Sequence, residues 1–373
     1  MEQWIKEKLE VIDGLYPPAR LERSRERWRR LWSGCKPLDR YPFVFSPAYS
    51  RYYDEVLPRE QCLRAFLDEF ILHGQFDDDF IPAFPIACRM GVLPSLFGAR
   101  EVVCGKDYSC EKILFGYGDI KALPQPAIGP GTPAQDILDR QLYYMHHTEG
   151  RVAVHVADMQ GPLDVCAQLW GYDNLLISAY EEPQIYVHLM SSVTEAFTLF
   201  WRAQRQLLGS CFLGTHLFAW DWIPEDAGAT LSADSLAMLS PKFFQEHVRP
   251  FLLEITSAFG GLTVHSCGDF SAVLPDLCAM PGVKAINSGQ MTVERLLAAG
   301  FDTTKVLISF EGIDYVGKAF NQIRTHGLKR CMTICGLWPA AGSGSPDLQA
   351  WSAEDWRKMR RAEQEVLDQA HRL

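Results

Sequence analysis

The chain has 373 residues, of which 47% are hydrophobic and 22% charged, and its formal net charge is −10. The apolar fraction excludes an intrinsically disordered chain, and the length is sufficient to bury a large core. The excess of acidic residues argues against a nucleic acid or an anionic membrane as partner, because both require basic surfaces.

The N-terminal segment, MEQWIKEKLEVIDG, carries a charge every few positions and therefore lacks the apolar core of a secretory signal. No stretch approaches the roughly 18 uninterrupted apolar residues of a membrane-spanning helix. The eleven cysteines are odd in number and scattered, so we expect reduced thiols rather than a disulfide framework. These features predict a cytoplasmic protein.

The N-terminal part of the chain differs in character from the rest. A helical pattern ends at Gly34, and its basic run RLERSRERWRRLW is predicted to form a solvated helix face. A Pro- and Phe-rich stretch follows, with one amphipathic helix predicted over 58–73 and a solvated acidic loop at 77–79. We therefore divide the chain into an N-terminal helical extension, 1–75, and a larger domain, 76–373.

After Pro130, short apolar strands alternate with amphipathic helices. Helices are predicted to begin at Thr132-Pro133, Pro183, Ser240-Pro241 and near Ser352, and strands at 151–157, 214–220, 228–233, LTVHS, VKAINS, KVLISF and RCMTICG. This alternation predicts parallel βαβ units covered on both faces, and seven or eight such units fit between residues 80 and 373. That number favours a closed (β/α)₈ TIM barrel of the α/β class over an open doubly wound sheet, and the absence of G-x-G-x-x-G supports the same choice. On such a barrel, catalytic groups lie at the C-terminal ends of the strands.

The clearest chemical signal is the strand end LTVHSCGDF. His265 and Cys267 are two residues apart, so on a strand they point to the same side at about 6.5 Å spacing. An imidazole and a thiolate at that spacing can both reach one zinc ion. The pair alone is a weak signal, because buried free cysteines are common in cores.

A third soft ligand strengthens the zinc prediction. Cys335 ends the strand RCMTIC before a Pro- and Gly-rich loop, so a barrel would place it at the same rim as His265 and Cys267. Cys331 would lie about 13 Å lower on the same strand and is assigned to packing. Three protein ligands with an open fourth position are typical of catalytic zinc.

These motifs resemble those of the uroporphyrinogen decarboxylase superfamily, in its branch of cobalamin-dependent (corrinoid) methyltransferases. The matching segments are HSCGD followed by the distant Cys-Gly, MQGPLDVCAQLWGYDNLL, and ADSLAMLSPKFFQEHVRPFL, within residues 75–373. The resemblance implies a (β/α)₈ barrel in which His265, Cys267 and Cys335 bind zinc. It implies transfer of a methyl group between a small O-, N- or S-methyl compound, or a thiol acceptor, and a corrinoid (cobalamin). The chain has no obvious second domain to carry the corrinoid, so a separate corrinoid protein is the expected partner, and a homodimer is one expected assembly.

Five further residues are candidates for the site. Glu311, at the end of a predicted strand, is a fourth zinc ligand or a base, or else an ordinary acid at a loop start. His155 is a catalytic candidate with Gln160 nearby as a substrate contact, although a satisfied interior histidine is the more common outcome. Asp221 and Trp222 follow a predicted strand and would form a wall of the substrate pocket, with loop packing as the equal alternative.

Two other functions stay open at this point. A metal-free enzyme resembling uroporphyrinogen decarboxylase and acting on an acidic substrate predicts clustered arginines at the barrel mouth, which the sequence does not offer. The N-terminal arginine signature of the true decarboxylases is also absent. A barrel that only binds a ligand predicts no stoichiometric metal. The sequence does not identify the methyl donor or acceptor, the direction of transfer or the role of the N-terminal region.

Overall fold

The computed structural model describes residues 2–46, 57–86, 89–104, 107–214, 222–312, 316–336 and 352–373. The strands of this part of the chain are β1 Phe43–Ser46, β2 Ala83–Phe84, β3 Glu101–Cys104, β4 Asp107–Cys110, β5 Ala153–His155, β6 Phe212–Leu213, β7 Ala229–Ser232, β8 Leu262–Ser266, β9 Val283–Ser288, β10 Val306–Gly312 and β11 Cys331–Gly336. The α-helices are α1 Gln3–Leu15, α2 Pro18–Ser33, α3 Arg59–His73, α4 Tyr117–Lys121, α5 Pro133–His147, α6 Pro162–Trp170, α7 Tyr172–Glu181, α8 Pro183–Leu208, α9 Pro241–Phe243, α10 Arg249–Phe259, α11 Leu274–Ala279, α12 Val293–Ala298, α13 Val316–His326 and α14 Ala353–Ala370. None of these helices has both the length and the hydropathy needed to cross a bilayer.

The helix ends follow the signals in the sequence. The Thr132 hydroxyl accepts a hydrogen bond from the backbone N–H of Gln135 at 3.2 Å, which caps α5 as predicted. Ser352 and Asp355 form a reciprocal capping box at the start of α14. Gly260 adopts a left-handed conformation with φ of 77° and ends α10, as its place after a helical pattern predicts.

The strands form two parallel sheets and one hairpin. The larger sheet has the order β1-β11-β10-β9-β8-β7 and the smaller one β2-β5-β6, while β3 and β4 pair antiparallel. All five residues of β8 are buried, as expected for a strand covered on both faces. The prediction of a parallel α/β protein is therefore confirmed. The described residues do not show a closed barrel, so that topology stays a prediction.

Backbone hydrogen bonds link the two parallel sheets. Beyond β5, the N–H of Gly161 donates to Ser232 O at 2.7 Å, and the N–H of Ser232 donates to Met159 O at 2.9 Å. Ahead of β2, the N–H of Asp79 donates to Phe43 O in β1 at 2.9 Å. Because of these links, the C-terminal ends of strands from both sheets lie at one end of the molecule.

Most predicted strands are present, and the structure adds β1 to β4, which the sequence pattern does not predict. The predictions at 151–157 and 228–233 and the last four strands correspond to β5 and to β7 through β11, whereas 214–220 lies, from residue 215, outside the described residues. The sequence pattern does not predict β1, which pairs in register with β11 from Phe43 opposite Thr333. The first 75 residues therefore contribute a strand to the larger sheet as well as helices.

A buried ionic cluster attaches the N-terminal helices to the sheet. Asp79 is fully buried, and its carboxylate accepts hydrogen bonds from the guanidinium groups of Arg27 at 2.7 Å and Arg40 at 2.8 Å. Asp78 is buried beside it, 2.7 Å from the ring of His73. The prediction of a solvated acidic loop is wrong for these two aspartates, because Asp79 faces buried arginines and Asp78 faces the buried ring of His73. The basic run is likewise solvated on only one side of α2, because Arg27 and Trp28 on the same helix are buried.

Candidate metal centre

Two adjacent strand ends bring chemical groups together. In the register of β7 and β8, Ser232 lies opposite His265, so Asp234 and Cys267, each two residues further on, lie side by side. The backbone N–H of Cys267 donates to Asp234 Oδ1 at 2.7 Å. This hydrogen bond fixes the Asp234 carboxylate at the point where the chain leaves β8.

Asp234, His265 and Cys267 form a compact cluster of potential metal ligands. His265 Nε2 lies 3.4 Å from Cys267 Sγ and 4.0 Å from Asp234 Oδ1, and the three ligand atoms all lie within 4.8 Å of one another. His265 is buried and the other two side chains are partly exposed, so the cluster opens toward solvent on one side.

Asn287 on β9 orients the His265 ring. Its Nδ2 donates to the backbone carbonyl of Ile308 at 2.7 Å, which leaves Oδ1 to face His265 Nδ1. An amide oxygen only accepts, so we assign the imidazole proton to Nδ1. Nε2 then presents its lone pair toward Cys267, which is the orientation of a metal-ligating histidine held by an outer partner.

The thiol of Cys267 has an unusual electrostatic environment. Burial raises the pKa of Cys267 to about 11, and the Asp234 carboxylate contributes in the same direction. A thiolate at this position thus needs a positive charge close to its sulfur. An imidazole, a thiolate and a carboxylate are the three ligand types that zinc accepts in proteins, so the donor set fits this ion.

Gly289 leaves space beside the donors. A Cβ atom at this position would lie 3.1 Å from Cys267 Sγ and 3.5 Å from His265 Cε1. A side chain at this position would press on the sulfur, which would have to move by a few tenths of an ångström. Glycine therefore leaves room on this side of the Cys267 sulfur.

Asp164 on α6 supports the turn that carries Asp234. Its Oδ1 accepts hydrogen bonds from the backbone N–H and the hydroxyl of Ser235, at 2.9 and 2.8 Å. The Ser235 hydroxyl also lies 2.9 Å from the Tyr172 hydroxyl. The start of α6 and the start of α7 thus hold the residue next to Asp234.

Asp164→Asn is expected to change how stability depends on pH. Burial raises the pKa of Asp164 from its ordinary value of 3.8 to about 7, although Ser235 hydrogen bonds act in the opposite direction. The folded state keeps this proton to higher pH, so the stabilisation is complete below pH about 4 and is lost as the pH rises to about 7. We expect the asparagine variant to lack this decline, which corresponds to at most about 4 kcal/mol. Urea unfolding of both proteins at pH 5 and pH 8 measures it, and equal pH slopes would contradict the expectation.

Asp234 is the ligand candidate that sequence reasoning missed. It lies 33 residues before Cys267 in the chain and reaches it only through the pairing of β7 with β8. The available signal was an acid directly after a predicted strand, in GATLSAD, at the place where HSC follows the next strand.

Cys335 and Glu311 are described by their backbones alone, and their side chains lie outside the described residues. The two positions are paired in the register of β10 and β11. Residues paired across neighbouring strands connect β8 to β11: His265 is opposite Asn287, which is opposite Ile308, which is opposite Met332. Cys267 is two residues beyond His265 and Cys335 is three beyond Met332, so the two backbones differ by about one residue in level near the C-terminal ends of their strands.

The remaining predicted site residues lie in different places. His155 ends β5 and is buried, with its carbonyl accepting a hydrogen bond from Gln141 at 3.1 Å; it is not in the cluster of three. Gln160 bridges to Ser232 at the same end of the sheets as the cluster, and its side-chain nitrogen lies 2.9 Å from Met90 Sδ.

Asp221 lies outside the described residues, and Trp222 is at the opposite end of the strands. An antiparallel bridge between Gly214 and Ile223 shows that the chain returns after β6. Trp222 consequently lines a cleft with Ala153, the first residue of β5. The structure does not bring Trp222 beside His265.

Comparisons with known proteins show what this fold is similar to. No protein-family model matches the chain, and no curated protein matches it in sequence. Among solved structures, the fold is similar to that of a methyltransferase from Methanosarcina mazei, with a TM-score of 0.62 and 15% sequence identity. The match covers 92% of this chain and 98% of that chain. The two proteins therefore share a fold over nearly their full lengths.

Proposed function

We propose that this protein is a zinc-dependent methyltransferase that uses a corrinoid carried by a partner protein. The other substrate would be a small O-, N- or S-methyl compound as donor, or a thiol as acceptor. The observation that carries the proposal is the convergence of Asp234, His265 and Cys267 at the ends of adjacent parallel strands. The fold shared with a methyltransferase supports it. The proposal includes a (β/α)₈ barrel and a cytoplasmic location.

The ligands that we propose for the zinc are His265, Cys267 and Cys335, with Asp234 as a fourth, oxygen donor that the reactant displaces. Asp234 takes the role that sequence reasoning offered to Glu311, because its carboxylate lies within 4.0 Å of His265 Nε2. A zinc ion bound there supplies a Lewis acid, which keeps a bound thiol as thiolate near neutral pH or polarises the heteroatom of a methyl donor.

The chain itself prepares this site in three ways. Asn287 holds the tautomer of His265 that presents Nε2 to the ion. The N–H of Cys267 fixes the Asp234 carboxylate by a charge-assisted hydrogen bond. Gly289 keeps the space beside the Cys267 sulfur clear for the ion and its reactant. A corrinoid on the partner protein would supply the cobalt that carries the methyl group.

A cobalamin assay tests the proposed activity. Protein loaded with one equivalent of zinc is mixed with methylcobalamin and a panel of thiols, and separately with cob(I)alamin and O-, N- and S-methyl compounds, while the visible spectrum is followed. We expect a spectral change in one arm that a chelator removes and added zinc restores. A folded, zinc-loaded protein that changes neither spectrum would contradict methyl transfer and leave the metal site intact.

Asn287→Ala is expected to lower zinc affinity about 10- to 100-fold, because outer partners of ligating histidines have effects of that size. The variant loses the acceptor for Nδ1–H of His265 and leaves the ring tautomer unspecified. Competition with a chromophoric zinc chelator measures the affinity. Asn174→Ala is a suitable control, since the side-chain hydrogen bond of that amide within the described residues goes to the Trp170 carbonyl on α6. Equal zinc affinity of the Asn287 variant and the parent would show that this orientation does not matter.

A further inference from the structure

A large cleft lies at the end of the strands opposite the metal centre. Its volume is about 1010 Å³, and it lies between α2 and the strand starts, with Trp32, Ala153, Lys284 and Arg330 in its lining. We call it the basal cleft. Ligand cavities in proteins typically span about 300–1000 Å³, so it can hold a molecule of nucleotide size. Because His265 lies near the other end of β8, the basal cleft is separate from the proposed metal site.

Positive charge is concentrated in the basal cleft although the whole chain is acidic. Its cationic lining residues are Arg25, Arg29, Arg30, Lys284 and Arg330. The first three belong to the basic run on α2, so this run lines a cavity. A concave surface with an excess of one charge attracts ligands of the opposite charge.

Acidic residues in the lining and beside it offset this charge in part. Glu22, outside the lining, pairs with Arg29 at 2.7 Å and with Arg25 at 3.7 Å. Glu26 accepts a hydrogen bond from Arg30 at 3.0 Å, and Glu225 pairs with Arg205, which lies outside the lining. Asp226 is the third acid, and it forms no ion pair with a described residue.

Two cations on the sheet side of the cleft form no ion pair among the described residues, although the Asp302 carboxylate interacts electrostatically with Arg330 at longer range. Lys284 is exposed, and its amine makes no hydrogen bond or ion pair within the described ranges. The Arg330 guanidinium donates to the carbonyls of Thr304 at 2.6 Å and Ser33 at 2.8 Å, which are neutral acceptors. Lys284 is on β9 and Arg330 precedes β11, so one strand separates them and their backbones are about 10 Å apart. Such spacing suits a ligand with several anionic groups better than one small anion.

Aromatic side chains line another part of the cleft. Trp32 and Trp222 are both partly exposed in the lining, and the Trp32 indole N–H donates to the Trp222 carbonyl at 3.2 Å. Indole faces bind flat rings by stacking. We propose that the basal cleft binds a flat, multiply anionic small molecule of the nucleoside polyphosphate type. Its phosphates lie at Lys284 and Arg330, and its ring lies against the two tryptophans.

Calorimetric titration of the full chain with ATP tests this proposal. We expect saturable binding at one site, a loss of affinity of about tenfold or more in Lys284→Gln, and weaker binding of tripolyphosphate than of ATP. Lys305→Gln is the matched control, because Lys305 is at the same end of the sheet and does not line the cleft. Its affinity should stay within about twofold of the parent.

Three outcomes would overturn the proposal. ATP that does not bind at millimolar concentration excludes the site, and an equal loss in the two lysine variants indicates unspecific charge attraction. Tripolyphosphate that binds as tightly as ATP removes the role of the tryptophans. The titration is repeated in Cys267→Ala, where unchanged ATP affinity is expected, because binding that disappears there belongs to the metal centre.

Discussion

Cys267→Ala is expected to abolish stoichiometric zinc binding and to lower zinc affinity at least about 100-fold. Removing a group that only hydrogen-bonds to a zinc ligand costs about 10- to 100-fold, and removing a ligand itself is expected to cost more. The Cys267 sulfur is the donor that lies closest to His265 Nε2 in the cluster, at 3.4 Å. Its loss leaves an imidazole, a carboxylate and the single sulfur proposed from Cys335, which are a poorer set for zinc than one with two thiolates. Metal analysis after gel filtration and chelator competition measure the change.

Cys211→Ala is the control for this prediction. Cys211 is buried, and its thiol contacts the Gly150 carbonyl at 3.5 Å and lies before β6, far from the metal centre. We expect this variant to retain about one zinc per chain. A Cys267 variant that retains the parent's zinc content and affinity would exclude the proposed ligand set.

Asp79→Ala is expected to lower the free energy of unfolding by about 3–5 kcal/mol, the range found when one partner of a buried ion pair is removed. The substitution leaves the guanidinium groups of Arg27 and Arg40 buried beside an apolar side chain. It also removes an acceptor for the N–H of Phe43 at the start of β1. Urea denaturation measures the loss, and Asp79→Asn provides a milder variant if the alanine form does not fold.

Asp68→Ala is the matched control for Asp79. Asp68 pairs with Lys8 and thus also joins two N-terminal helices, but both partners are partly exposed. An exposed ion pair contributes about 0–1 kcal/mol, so we expect a small change. A loss at Asp79 no larger than that at Asp68 would mean that the buried cluster does not stabilise the attachment of the N-terminal region.

Sequence reasoning succeeded where the signal was local. The strand LTVHS and the spacing of His265 and Cys267 can be read from alternation over a few residues, and β8 has the predicted bounds. The caps at Thr132 and Ser352 also depend on neighbours three residues away. Each of these features is determined by residues close together in the chain.

The features that were missed depend on distant pairing. Asp234 meets Cys267 through the register of β7 and β8, and β1 pairs with a strand nearly 290 residues later. Asp79 looks solvated in an acidic run, and only the fold places Arg27 and Arg40 around it.

The position of Trp222 differs from the one that its place in the sequence suggests. In a barrel, residues that directly follow a strand lie at the C-terminal ends of the strands, and Trp222 follows the strand predicted at 214–220. The chain reverses after β6 through the bridge of Gly214 with Ile223 and carries Trp222 to the basal cleft. A reversal of this kind has no signature in apolar periodicity.

Anomalous diffraction at the zinc absorption edge, on crystals of zinc-supplied protein, shows whether the cluster binds zinc. We expect one peak per chain, about 2.0–2.3 Å from His265 Nε2 and from the sulfurs of Cys267 and Cys335. A peak elsewhere, no peak at this position, or a Cys335 sulfur well beyond bonding distance would contradict this expectation.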